Sequence, residues 1–166
     1  MGEVFIGQGR GTAQGQAATM VFDTGSNWLT VKSTLCKKTC VRMAYCPVDS
    51  KTAKQVSLVE KELRYGSADL WGYTYEDTVC LGGNLGEDGS TCMPEFRFMA
   101  VSKNVGGHLQ PQIDGILGLG ANKDAGPSLL LTLRSGGFIN QTLISFNLGY
   151  NHKSDSSMIF GGYDEQ

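Results

Sequence analysis

Residues 20–26, Met20-Val21-Phe22-Asp23-Thr24-Gly25-Ser26, decide how this chain is read. A short apolar run ends in an acid, a hydroxyl and a glycine, the pattern of a buried strand that delivers a carboxylate into a tight turn. Glycine permits the sharp backbone path and brings its N–H close to the carboxylate. Thr24 and Ser26 offer hydroxyls to hold the acid in place. Asp-Thr-Gly by itself is common punctuation between strand and turn, so its chemical meaning comes from the surroundings.

Outward from this turn, the chain has the composition of an all-β protein. Its 166 residues suffice for one domain, or one lobe of something larger, with a real core. Glycine accounts for 23 of them, about twice the usual share, spread among short apolar runs without a long helical period. Strands are predicted at residues 4–6, 17–22, 28–31, 96–101, 144–148 and 158–160. Two more runs, 56–65 and 70–79, flank Gly66-Ser67-Ala68-Asp69 as a β-hairpin. In residues 113–120 apolar side chains alternate with glycine, as expected where two backbones cross closely inside a core. One helix is predicted at 128–134, capped by Ser128 and stopped by Gly136-Gly137. Residues 33–54, polar and cysteine-bearing, read as a surface excursion. No composition shift marks an internal domain boundary.

Other classes of function are disfavoured. A formal net charge of −2 argues against electrostatic binding of nucleic acid. No apolar run of 18 residues is present to span a membrane. The Gly7, Gly9, Gly11 series is followed by neither a helix nor a Lys-Ser/Thr pair, so it is a turn rather than a phosphate loop. Met1-Gly2 fails the myristoylation pattern because Ile6 stands where Ser or Thr is wanted.

The five cysteines, Cys36, Cys40, Cys46, Cys80 and Cys92, support two readings. Cys36 and Cys40 have loose zinc-like spacing, but His108 and His152 are far along the chain. The disulfide reading is preferred: Cys80–Cys92 closes a hairpin, and two of the first three clip a loop. One thiol is then left free, or pairs with another chain or with a part of this one outside these residues. Disulfides imply an oxidising compartment, and the sequon Asn140-Gln141-Thr142 fits a secretory route. No metal and no cofactor is expected.

Four features stand in order: the Asp23 turn; Tyr65-Gly66 near a hairpin tip; Asp114-Gly115-Ile116-Leu117-Gly118-Leu119; and Ser145-Phe146 leading to Ile159-Phe160-Gly161-Gly162. Together with Asp77-Thr78-Val79, this sequence resembles, over residues 1–166, the amino-terminal lobe of pepsin-like aspartic peptidases. The resemblance implies a single all-β lobe of a bilobal fold with one or two short helices. It implies that Asp23 is one of two catalytic aspartates and that the Thr24 hydroxyl bonds across to the other lobe. Gly25 and Ser26 match positions that hydrogen-bond the carboxylate. Tyr65, Gly66 and Ser67 match a flap that closes over a bound peptide. Phe22, Ile113 and Ile116 fall where the family lines its apolar subsites or packs behind them. Asp114 belongs to a structural motif and is not nominated as an acid.

The implied function is hydrolysis of peptide bonds at acid pH, in a secreted or lysosome- or vacuole-like compartment. It needs a second Asp-Thr-Gly or Asp-Ser-Gly, which these residues lack; Asp88-Gly89-Ser90 has no apolar approach strand and does not substitute. Three accounts follow. The acid comes from a carboxy-terminal lobe, or from Asp23 of a second copy across a two-fold axis, or the scaffold is catalytically inactive and binds a partner. Local departures from the family are Trp28, which comes early, Thr30 at about the position of the usual tryptophan, Ala68 and Asp69 at the flap tip, and Trp71 on the returning strand.

Overall fold

The structure, a computed structural model, describes residues 1–10, 14–66, 68–106, 111–120, 126–150 and 156–164. Two compact units divide it, residues 1–128 and 129–166. The division falls at the start of a helix rather than at a linker, which is why composition does not mark it.

The first unit carries eight strands: β1 (Gly2–Ile6), β2 (Gln16–Asp23), β3 (Leu29–Lys32), β4 (Lys54–Gln55), β5 (Lys61–Arg64), β6 (Ala68–Leu81), β7 (Thr91–Gly106) and β8 (Gly115–Gly118). They hydrogen-bond in the order β1-β2-β8-β3-β7-β6-β4, with β5 also on β6. Because β1 pairs with β6 as well as with β2, the sheet closes on itself and β1 has no open edge. Two pairings are parallel, β2 with β8 and β3 with β7. Val4, Ile6, Met20, Val31, Phe98, Met99 and Leu117 fill the interior with 0% exposure.

The alternating glycines of 113–120 do what their spacing predicts. A Cβ on Gly115 would fall on the Thr30 carbonyl oxygen, and one on Gly118 would meet the backbone of Asn27 and Trp28. Only glycine lets β8 pass between β2 and β3 at this separation.

Three expectations are corrected. Residues 33–54 are not simply a surface excursion: Cys36, Tyr45 and Ser50 are buried, and a short 3-10 turn forms at Pro47–Asp49. Tyr45 is held inside by donating to Asp77 Oδ2 at 2.8 Å and by edge-on contact with Phe98. The strand expected over 56–65 is reduced to β5. On β6, Lys54 and Gln55 take Glu76 and Tyr75, the Val56 N–H donates to Thr74, and Lys61 takes Gly72. Only Tyr73 lies between, so residues 57–60 have no ladder to join, and Leu58 and Val59 are exposed. The third strand begins at Leu29 rather than at Trp28.

Disulfides join Cys36 to Cys40 and Cys80 to Cys92, leaving Cys46 as a half-buried free thiol. Asp114 is fully buried, accepts the Thr19 N–H at 2.9 Å and lies 3.0 Å from Arg42 Nε. Beside it Lys32 Nζ donates to the Ile113 carbonyl at 2.6 Å. Burial lowers the Lys32 pKa, against the pull of Asp114.

In the second unit, α1 (Leu129–Ser135) buries Leu129, Leu130 and Leu133 and ends at Gly137, whose φ of +74° only glycine adopts readily. β9 (Ile144–Asn147) and β10 (Ser157–Phe160) form an antiparallel pair. Among the described residues the chain is all-β apart from short helical turns, and no helix is long and apolar enough to cross a membrane.

Candidate active site

The local sequence explains how Asp23 reaches the surface of the closed sheet. β2 lies between β1 and β8, and Asp23 is its last residue, opposite Gly118. Backbone hydrogen bonds clamp the loop that follows: Leu119 N–H donates to the Asp23 carbonyl, Gly118 N–H to that of Trp28 and Gly120 N–H to that of Ser26. Asn27 Nδ2 adds a bond to the Gly120 carbonyl at 3.1 Å. A side chain on Gly118 or Gly120 would collide with this loop, so glycines a hundred residues away set the position of the acid.

The Asp23 side chain is half-buried, and its Oδ1 accepts the Gly25 N–H at 2.9 Å. That is the only hydrogen bond to this carboxylate among the described residues. The Ser26 hydroxyl, expected to hold the acid, is instead buried without a hydrogen-bond partner, and Thr24 is exposed. A cavity of about 400 Å³ opens in front of the carboxylate, lined by Asp23, Gly25, Ser26, Asn27, Trp28, Leu63, Arg64, Tyr65 and Gly66.

β5 and β6 bring the opposite wall. Their hairpin turns at residues 65–68, where Tyr65 and Ala68 exchange backbone hydrogen bonds of 2.8 and 3.3 Å. Ser67 lies outside the described residues. Tyr65 packs against the cluster of Trp28, Leu70, Met99 and Val101. Burial raises its pKa, the neighbouring hydroxyls of Ser26 and Thr30 draw it back, and the Asp23 charge adds to the rise. Neither hydroxyl reaches full hydrogen-bonding geometry, and the Thr30 hydroxyl is buried and unpartnered. Tyr65 thus faces two short hydroxyls where the resemblance expects a tryptophan.

The structure therefore brings Asp23, Gly25, Ser26, Tyr65 and Gly66 to one cavity. Phe22, Ile113 and Ile116 do not line it. The Phe22 ring packs over Gly2, and Ile113 and Ile116 are each 8% exposed. Asn27, Trp28, Leu63 and Arg64 line it without having been nominated. Their signal was position alone, immediately after the acid turn or before Tyr65. No group of three or more His, Cys, Asp or Glu side chains placed to hold a metal occurs among the described residues.

Comparison with known proteins identifies the family. A family model described as eukaryotic aspartyl protease matches residues 1–166. Cyprosin of Cynara cardunculus is 31% identical over 159 residues, covering 90% of this chain and 32% of its own length. Pepsin II-1 of Oryctolagus cuniculus is 32% identical over 157 residues, covering 90% and 38%. Pregnancy-associated glycoprotein 2 of Sus scrofa is 32% identical over 162 residues, covering 91% and 36%. The chain spans about a third of the length of these curated relatives. With the family model matched from the first residue to the last, the chain belongs to the eukaryotic aspartyl proteases.

Proposed function

We propose that this chain is the amino-terminal lobe of an aspartic endopeptidase, with Asp23 as one member of a carboxylate pair whose second acid lies outside these residues. The observation that carries this reading is the Asp23 carboxylate, which is held by a single N–H and opens onto a cavity beneath the Tyr65 hairpin. Hydrolysis without a covalent intermediate needs a base to activate water and an acid to protonate the carbonyl oxygen or the leaving nitrogen. Two adjacent carboxylates cannot both ionise, so one keeps a proton and the pair fills both roles. Aspartic proteases are the standard illustration of that effect.

The remaining roles follow from placement. Gly25 fixes one Asp23 oxygen. Thr24, exposed beside the acid, bonds the partner lobe. The 65–68 turn, with Gly66 and Ser67, closes over an extended peptide and excludes water. Phe22, Ile113 and Ile116 support the floor from behind. The second acid comes from a carboxy-terminal lobe, which would cover the exposed apolar residues Phe146, Leu148, Tyr150 and Ile159 of the second unit. This chain alone then self-associates, and sedimentation shows it.

The deciding test is cleavage of a denatured protein by the full-length protein across acid pH. Cleavage that Asp23→Asn abolishes supports the reading. Cleavage that survives the substitution, or tight partner binding without cleavage at any pH, overturns it.

A further inference from the structure

A second cavity, of about 380 Å³, lies between the disulfide loop and β7, lined by Leu35, Lys37, Lys38, Thr39, Glu60, Ser102 and Lys103. Irregular backbone on every side makes it. The Cys36–Cys40 disulfide closes the short loop that carries Lys37 and Lys38. Thr39 Oγ1 ties that loop to β7 by accepting the Asn104 N–H at 2.9 Å. On β7, Trp71 faces Lys103 and Gly72 faces Val101, so Ser102 is the extra residue of a bulge. Its hydroxyl lies 2.6 Å from Glu60 Oε1 and 3.2 Å from the Trp71 carbonyl. Glu60 arrives on the segment that found no ladder partner on β6, next to the exposed Leu58 and Val59.

The charges are uneven. Lys54 and Arg97 both pair with Glu76, Arg64 with Glu62 and Arg42 with Asp114. Among the described residues Lys37, Lys38 and Lys103 have no carboxylate within ion-pair distance. Neither does Lys61, at the start of β5. Lys103 and Lys61 lie instead over the Trp71 and Trp28 rings, at 4.4 and 4.1 Å from their centroids. Three lysines against one glutamate, around an apolar hollow, make a cationic site on a chain whose formal net charge is −2. The disulfide holds the backbone that carries Lys37 and Lys38, and the Trp71 ring seats the Lys103 ammonium, so part of the ordering cost of binding is already met.

We infer that this cleft is a second docking site for the polypeptide being cut, taking a segment in which acidic residues flank an apolar side chain. The hollow accepts the apolar group, and the lysines pair with the carboxylates. Its concave form suits a peptide better than a flat lipid surface. β5 connects it to the catalytic cavity: Glu60 lines one, Leu63 and Arg64 line the other, and Lys61 between them stacks on Trp28 of the catalytic wall. An extended substrate spans that interval with about four residues at roughly 3.3 Å each. The inference rests on the proposed peptidase reading for its purpose, but not for its binding chemistry.

The test uses the full-length protein at about pH 6, where Asp and Glu of a peptide are ionised. Fluorescence anisotropy compares a labelled Glu-Leu-Glu-Glu-Phe-Glu peptide with its Glu-to-Gln counterpart. The acidic peptide is expected to bind at least about tenfold more tightly and to weaken with salt. Lys37→Glu/Lys38→Glu/Lys103→Glu is expected to remove that preference. The single variants Lys38→Ala and Lys103→Ala should each weaken it in part, which guards against misfolding of the triple variant. Equal binding of the two peptides, an unaltered preference in the variants, or binding of phosphatidylserine vesicles in place of the acidic peptide overturns the inference. On the enzyme at about pH 6, an acidic extension should lower KM in the wild type but not in the triple variant, with kcat unchanged, and the advantage should fade as the extension takes up protons in stronger acid. A protein that binds the acidic peptide through these lysines but cuts nothing would refute the peptidase reading alone.

Discussion

Asp23 and Asp77 both sit in strands of the same closed sheet, and they are treated in opposite ways. Asp77 is 1% exposed, and three donors fill its lone pairs: Tyr45 Oη at 2.8 Å, Thr52 Oγ1 at 2.5 Å and the Thr78 N–H at 2.8 Å. Asp23 is half-buried at the mouth of a cavity and holds one donor among the described residues, Gly25. A carboxylate committed to structure is saturated with hydrogen bonds, because any unfilled lone pair in the interior is costly. A carboxylate that serves the proposed chemistry has to stay open to a substrate or a water, as Asp23 does. The difference lies in the surroundings rather than the residue, since both aspartates precede a threonine.

That contrast is broken most directly by exchanging what each acid is needed for. Asp23→Asn keeps an acceptor for the Gly25 N–H but removes the carboxylate that the proposed pair needs to share a proton. Its kcat/KM is expected to fall by about 10³-fold or more, with unfolding free energy unchanged to within about 1 kcal/mol. Asp77→Ala should do the reverse, leaving two buried donors, the Tyr45 hydroxyl and the Thr78 N–H, unpaired and costing about 3–5 kcal/mol in urea unfolding. A strongly destabilised Asp23→Asn protein would show that the open carboxylate is structural after all.

The next test concerns what positions the open acid. Gly118→Ala puts a methyl group into the Asn27–Trp28 backbone, while at Gly66 an added Cβ meets nothing within 4 Å. Overpacking at Gly118 is expected to cost about 1–3 kcal/mol and to lower peptidase activity, because the loop after Asp23 must shift. Gly66→Ala should leave thermal stability nearly unchanged. Equal tolerance at both sites would mean that the glycine crossing does not set the acid's position.

These glycines also show what the sequence made legible. Alternation of glycine with apolar residues in 113–120 is a local pattern with one physical meaning, and the crossing it implies is there. The hairpin at Gly66, the Cys80–Cys92 pairing and the helix ended by Gly137 were readable for the same reason. Tyr45 was not, because the acid that buries it lies 32 residues away in the chain. The run 56–60 looked like a strand because it is rich in Val and Leu. Its exclusion depends on how many positions β6 leaves open, which composition does not record. Trp28, Leu63 and Arg64 became cavity walls only once β5 was folded over the Asp23 loop.

Tyr45→Phe tests the saturated acid more gently. The ring contact with Phe98, 5.2 Å between centroids, survives, while Asp77 Oδ2 loses its donor. Burial, followed by the Asp77 charge, pushes the Tyr45 phenol far above its ordinary pKa, so it remains a protonated donor throughout the working range. The expected loss is about 1–3 kcal/mol by chemical denaturation. A neutral result would mean that Thr52 and Thr78 alone satisfy the carboxylate.

The smallest expected effect is at Glu76, one residue before Asp77 on β6, half-buried but paired with the exposed cations Arg97 and Lys54. Hydrogen bonding from Arg97, with weaker help from Lys54, holds its pKa below the ordinary glutamate value. A carboxylate whose pKa is depressed by folding stabilises the protein above its unfolded-state pKa, and that contribution is lost as pH falls through the folded-state value. Arg97 is half exposed, so solvent screens the pair and Glu76→Gln should cost less than about 1 kcal/mol at pH 7. The difference between wild type and variant should shrink toward zero in strong acid, where both side chains are neutral. A gap that stays constant with pH would assign Glu76 to packing rather than charge. A gap that vanishes on acidification would mean that this pair gives no support under the acid conditions the proposed chemistry prefers, where Asp77's hydrogen bonds and the glycine crossing must hold the acid loop in place.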